Sequence, residues 1–257
     1  MLIICKLHNL KDIPLERSCS LIHQDEWGVC IIDKSPGVLS HPNKVQNPEK
    51  KQRTLLNSKF SSVDECYEWT TDQGELKRFH LCHRLDSATS GIIVGCLNKE
   101  LAVSIREAFK KREVQKTYMA ITSGYLKSKR GTWKDSLVEK KINGKLRVCK
   151  GNGQAAITKF QKIRNNAGKL NLQLLELQPV TGRTHQLRVQ CMLRNIPISG
   201  DNTYGDFSTN RLIAKTTKVK RLCLHASKIE FEIKHLGEII SINLEAPFPR
   251  LMGRILL

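Results

Sequence analysis

The chain is short of acid. It carries 24 Asp and Glu against 43 Lys and Arg, a formal charge of +19 over 257 residues. A field of that sign draws polyanions, RNA first among them. An anionic membrane would answer to the same charge, but it calls for an amphipathic basic helix or a lipidation motif, and neither is present. No apolar stretch approaches the roughly 18 residues of a membrane span. The opening Met1-Leu2-Ile3-Ile4-Cys5-Lys6 is too short an apolar run for a signal peptide. The nine cysteines are odd in number and include no C-x-x-C pair, which speaks for a reducing cytoplasmic setting without a disulfide framework. Their spacing to His fits no zinc pattern, so no metal is expected. Internal repeats and low-complexity linkers are also missing, and the reading is one domain over 1–257.

What is present is an ordinary apolar fraction, 40%, at a length able to bury a substantial core. Strands are expected at 21–23 and 29–33. A turn, Lys34-Ser35-Pro36-Gly37, follows, with Pro presetting φ and Gly open to positive φ. Residues 43–78 are polar and weakly patterned; they hold the basic run Lys50-Lys51-Gln52-Arg53 and two aromatics, Tyr67 and Trp69, whose first reading is packing, with stacking on a base as the alternative. Ile92 to Leu97 is a short apolar run between Gly91 and Asn98, a buried strand. Asn98 then caps a helix whose core face is Leu101, Ile105, Ala108 and Phe109 and whose far face is Arg106, Lys110 and Lys111, with Arg112 following. Further strands are expected at 115–121, 155–163 and 170–177, where Leu170, Leu172 and Leu174 alternate. A hairpin at 137–150 turns on Asn143-Gly144. A helix is expected over 184–194, and a closing hairpin over 229–233 and 239–244. Lys127 to Arg130 and Lys215 to Arg221 are two more basic runs.

The chain is organised around His83-Arg84-Leu85-Asp86-Ser87-Ala88-Thr89-Ser90-Gly91, which leads into the buried strand. Residues two apart in extended chain point the same way. Arg84 would then face Asp86, and a close cation lowers a carboxylate pKa by roughly 1–3 units. An acid kept ionised suits a nucleophile or an electrostatic stabiliser, not a general acid. A turn-forming Asp with a structural ion pair would carry the same residues.

The nine residues resemble the H-R-L-D-x-x-T-S-G loop of the RluA-type pseudouridine synthases. Pro179-Val180-Thr181-Gly182-Arg183-Thr184-His185-Gln186-Leu187-Arg188-Val189 resembles that family's T-G-R-x-H-Q-[IL]-R-V, and Pro197 to Gly205 its P-I-x-G-D-x-x-Y-G. The Lys34 turn through His41-Pro42, the Lys116-x-Tyr118-x-Ala120 strand and Leu224-His225-Ala226 resemble three further motifs. The chain departs from the pattern at Asp33, Ser35, Gln190 and Ile196. The last two, where the family often has His, are expected to alter hydrogen bonds around the site.

The resemblance implies an α+β fold: a mixed, largely antiparallel central sheet with flanking helices and a central RNA-binding cleft, without the N-terminal S4 domain of some relatives. It implies isomerisation of uridine to pseudouridine in structured ribosomal or transfer RNA, by a chain that acts as a monomer with no cofactor and no membrane partner. Asp86 is the implied catalytic carboxylate. Two chemistries satisfy it: attack at C1′, or removal of the C2′ proton to give a glycal. Tyr118 would stack on the base and assist at C5, and Arg188 would pair with Asp86. Arg84, Arg183, His185 and Leu224 would bind the substrate, Arg84 by holding the nucleotide out of its stack and Leu224 by walling the uracil. Two other classes stand against this reading. An inactive RNA assembly factor would not require Asp86, Tyr118 and Arg188 together, and an RNA hydrolase would require paired acids or a metal cluster.

Overall fold

The computed structural model describes residues 13–43, 52–142, 144–166 and 171–256. They fall into two compact units. The first comprises the described residues up to Glu113 together with Glu232–Ser241; the second comprises Val114–Phe231 and the described residues from Ile242.

The first unit is built on the apolar run next to Asp86. β6 (Ser90–Cys96) is buried at every position, as a strand with apolar residues on both faces must be. It pairs antiparallel with β2 (Val29–Lys34), which in turn pairs with β1 (Ser20–Gln24). β5 (Leu76–Leu81) joins β6 through His80 and Leu81, and β4 (Cys66–Thr70) and β3 (Lys59–Ser61) extend the order. A parallel bridge, Leu39 to Thr54, makes the pairing mixed. Strands β3 to β5 occupy the stretch that shows little pattern in sequence. Tyr67 is fully buried and Trp69 packs against the same apolar cluster, so both aromatics are packing residues. Gly95 lets the Phe79 ring lie on the sheet, since a Cβ there would stand 2.0 Å from the ring.

α1 (Lys99–Lys111) starts at Asn98, whose Oδ1 accepts from Leu101 N–H at 3.0 Å. Leu101, Ala102, Ile105 and Ala108 are its buried residues. Arg106 departs from expectation. It turns inward and donates to the carbonyls of Leu81 at 2.9 Å and Glu65 at 3.1 Å.

In the second unit β7 (Gln115–Ser123) lies between β11 (Leu172–Pro179) and β12 (Leu224–His235). Beyond β11 come β10 (Gln154–Asn166), β8 (Arg130–Ile142) and β9 (Lys145–Lys150), all antiparallel. β13 (Glu238–Glu245) pairs with β12. The β8–β9 hairpin is the expected one, with Gly144 at φ +72°; Asn143 lies outside the described residues, as do Leu170, Lys50 and Lys51. Strand β10 runs longer than expected, through an irregularity between Lys162 and Arg164.

The expected helix over 184–194 is shorter. α2 is Gln186–Met192, because His185 sits at φ 51°, a left-handed conformation that cannot continue a helix. α3 (Phe207–Thr217) was not legible in the sequence; Asp206 caps it by accepting from Thr209 N–H. A short α4 (Arg250–Gly253) follows β13. No described helix is long and apolar enough to cross a membrane.

Candidate active site

In the first unit the Asp86 loop joins β5 to β6. Its entry is fixed by His83, whose Nε2 accepts from Val94 N–H at 3.0 Å and whose ring stacks on Phe109 with centroids 4.6 Å apart. Thr89 N–H donates to Asp86 O at 3.1 Å and closes a turn. Asp86 itself is half-buried. The residues on either side of it are held by the Lys34–His41 turn. Leu85 N–H donates to Ser40 Oγ at 3.0 Å, and the same hydroxyl donates to Leu85 O at 2.9 Å. Ser87 O accepts from Gly37 N–H at 2.7 Å and from Lys34 Nζ at 3.1 Å. Lys34 is fully buried, and its ammonium also donates to Ser35 O and Val38 O at 3.1 and 2.8 Å. Three carbonyls match its three N–H donors, which is what burying that group demands. Arg84 is exposed, and its guanidinium donates to His41 Nε2 at 3.3 Å. The His41 ring stacks on Phe60 with centroids 5.2 Å apart. His41 lies within the first motif, and the sequence alone gives it no role.

In the second unit the site residues are clustered differently. Arg188, on α2, makes a two-point bond to Asp201: Nε to Oδ2 at 2.8 Å and Nη2 to Oδ1 at 2.9 Å. Both residues are buried, at 7% and 1% exposure. The planar fork of arginine suits this geometry. Burial alone would push the Asp201 carboxyl up. The bonds and charge of Arg188, with the N–H groups of Tyr204 and Thr203, outweigh it and hold the carboxyl below its usual range. The Arg188 guanidinium lies 5.1 Å from the centroid of Tyr204. Tyr204 Oη accepts from Val148 N–H at 2.9 Å and is 2.8 Å from His185 Nδ1. Gly200, at φ +76°, sets the turn before Asp201, with its N–H on Asn210 Oδ1 at 2.7 Å. Asp201 was missed in the sequence, although the Gly-Asp of its motif was on view; nothing in a string of residues reports that a partner thirteen positions away lies within bonding distance.

Register places two more expected residues together. Tyr118 is directly opposite Ala226 on β12, and Leu224 is opposite Ala120. Directly opposed residues and those two apart share a face, so Tyr118 and Leu224 lie on one face of the β7–β12 pair. Tyr118 is half-buried and Leu224 buried. His225 points to the other face, where burial pulls its imidazole down to about 4. Arg183 is tied by Nε to Ala155 O at 3.3 Å.

A family model, RNA pseudouridylate synthase, matches residues 28–193. The chain belongs to that family. It is 35% identical over 196 residues to a ribosomal large subunit pseudouridine synthase C of Rickettsia bellii, covering 76% of this chain and 61% of that protein. It is 31% identical to a dual-specificity RNA pseudouridine synthase RluA of Haemophilus influenzae, covering 91% of this chain and 96% of the relative. Among solved structures, human RNA pseudouridylate synthase domain containing 4 superposes with a TM-score of 0.63 at 26% identity, covering 92% of this chain and 91% of the other.

As an RNA pseudouridine synthase, the chain shows what its departures from the motif do. Gln190 is fully buried, and its side chain joins three partners. Its Oε1 accepts from Thr158 Oγ1 at 2.6 Å; its Nε2 donates to Asp135 Oδ2 at 2.7 Å and Ala156 O at 3.1 Å. Arg194 completes the set by pairing with Asp135 at 2.9 Å, and Gln186 continues it through Thr158 Oγ1 and Thr181 Oγ1. An imidazole has one N–H and one lone pair when neutral, too few for these bonds. Ile196 is buried and apolar.

Proposed function

We propose that the chain converts uridines in structured ribosomal or transfer RNA to pseudouridine in the cytoplasm, with Asp86 as the reacting carboxylate and the whole chain acting as one catalytic domain and a monomer. The observation that carries this reading is the Asp86 loop, in which a half-buried acid stands between two backbone units that other residues hold. The N1–C1′ bond breaks, the uracil turns, C5 joins C1′, the C5 proton leaves and N1 takes up a proton. Uracil is conserved, so the reaction needs no cofactor. Tyr118 stacks on the base and assists at C5, and Leu224, on the same face, walls the uracil. Arg84 occupies the space of the extruded nucleotide, and Arg183 and His185 hold the RNA. Arg188 keeps the carboxylate chemistry charged. Flanking helices and a central RNA-binding cleft belong to the same reading, supported by the excess of Lys and Arg.

Tritium release from RNA carrying [5-³H]uridine, run beside a gel for strand cleavage, tests it. Release without cleavage, unaffected by EDTA, is the expected result. Cleavage would make the chain a hydrolase. Tight binding without release would make it an assembly factor.

A further inference from the structure

We infer that Ser40 is a positioning residue for the reaction: its hydroxyl fixes the peptide unit that carries Asp86. The inference rests on the reading of Asp86 given above. Ser40 is 4% exposed, and its Oγ both accepts from Leu85 N–H and donates to Leu85 O, at 3.0 and 2.9 Å. One hydroxyl thus serves both backbone polar groups of the residue before Asp86.

The group that does this is itself held. Ser40 O accepts from Tyr67 Oη at 2.8 Å, and Tyr67 is fully buried. Leu39, one residue back, donates to Arg53 O at 2.8 Å and accepts from Leu55 N–H at 2.9 Å. Leu85 packs its side chain against the same apolar cluster that contains Tyr67, Leu55 and Ile93. On the other side of Asp86, Ser87 O is held by Gly37 and Lys34. The backbone beneath the carboxylate is therefore held on both sides. Placement on that scale governs rate, since a displacement of about 1 Å can cost about 100-fold. Serine fits here because the site requires a donor and an acceptor on one small atom.

Ser40→Ala tests this. At saturating RNA its single-turnover rate falls about tenfold or more, which corresponds to roughly 1.4 kcal/mol of barrier, while RNA affinity stays within about twofold. Ser40→Thr, which keeps the hydroxyl, regains most of the rate. Ile93→Val, a core change in the same cluster, lowers thermal stability and leaves the rate unchanged. Tyr67→Phe releases the Ser40 carbonyl while keeping the ring, and it slows turnover by a smaller factor; it carries the test if Ser40→Ala does not fold. A wild-type rate in Ser40→Ala, a loss confined to RNA affinity, or an equal rate loss in Ile93→Val overturns the proposal. So does a wild-type rate in Tyr67→Phe where Ser40→Ala is unfolded. Asp86→Asn is run alongside. Turnover in Asp86→Asn brings down the reading of Asp86 itself, whereas a dead Asp86→Asn beside a fully active Ser40→Ala brings down the positioning alone.

Discussion

The two units hold the carboxylates of their motifs by different means. In the first, Asp86 stands on a loop fixed through its backbone, and Arg84 is exposed with the His41 ring for a partner. In the second, Arg188 and Asp201 are buried and bonded to one another at two points. Side-chain pairing consumes the charge to shape the fold. The contrast sorts carboxylates: Asp86 stands between two backbone units that other residues hold, and Asp201 holds a cation.

Asp86→Asn should break the comparison most sharply. Pseudouridine formation is expected to vanish while RNA affinity changes little. Turnover within about tenfold of wild type, roughly 1.4 kcal/mol of barrier, would contradict it. Asp201→Asn should act on stability instead. Removing one partner of a buried pair leaves the other charge uncompensated, at a cost of about 3–5 kcal/mol, readable as a lower denaturation midpoint. The dependence on pH has a fixed sign. The Asp201 carboxyl lies below its usual range in the folded chain, so its stabilisation is present above the ordinary carboxylate range and is lost as pH falls through the folded value. Asp201→Asn should flatten that acid limb of stability. Arg188→Met sharpens the same point, because its stability loss should come with a slower single-turnover reaction at saturating RNA if Arg188 also serves the chemistry. An unchanged rate would confine Arg188 to Asp201.

Gln190→Ala comes next. It strips Thr158 and Asp135 of a buried partner, and a loss of about 1–3 kcal/mol is expected, with chemistry at saturating RNA unchanged. A stability equal to wild type would mean that the network is redundant. The smallest effect is expected from replacing Lys110, Lys111 and Arg112 with Ala. RNA affinity should become less sensitive to salt, since fewer counterions are displaced. Lys110 is already bonded to Glu107 at 2.5 Å, which limits its share.

Legibility followed the same division. The buried strand, the helix cap at Asn98, the hairpin and the motif positions were readable because period, turn chemistry and short-range order carry them. The three strands between Lys59 and Leu81 were not, because short, half-exposed strands mix polar and apolar residues without a clean alternation. Arg106 looked like a cation of the outer face and proved to be a donor to two carbonyls, a choice made by backbone groups that periodicity does not see. The helix start at 184 failed on one dihedral angle at His185. Asp201 and Ser40 were visible as letters, but their roles come from separations of 13 and 45 residues closed by the fold.

Gly200 joins distant parts of the chain through an atom it does not have. A Cβ there would stand 1.9 Å from the Arg221 carbonyl oxygen. That closeness lets Ser199 exchange bonds with both neighbours, donating to Ile121 O at 2.8 Å and accepting from Cys223 N–H at 2.9 Å. Three stretches of sequence that carry Tyr118, Asp201 and Leu224 are thereby sewn at one seam. A single methyl group added at Gly200 would press on the Arg221–Leu222 backbone at that seam, and no side-chain replacement there could make room for it.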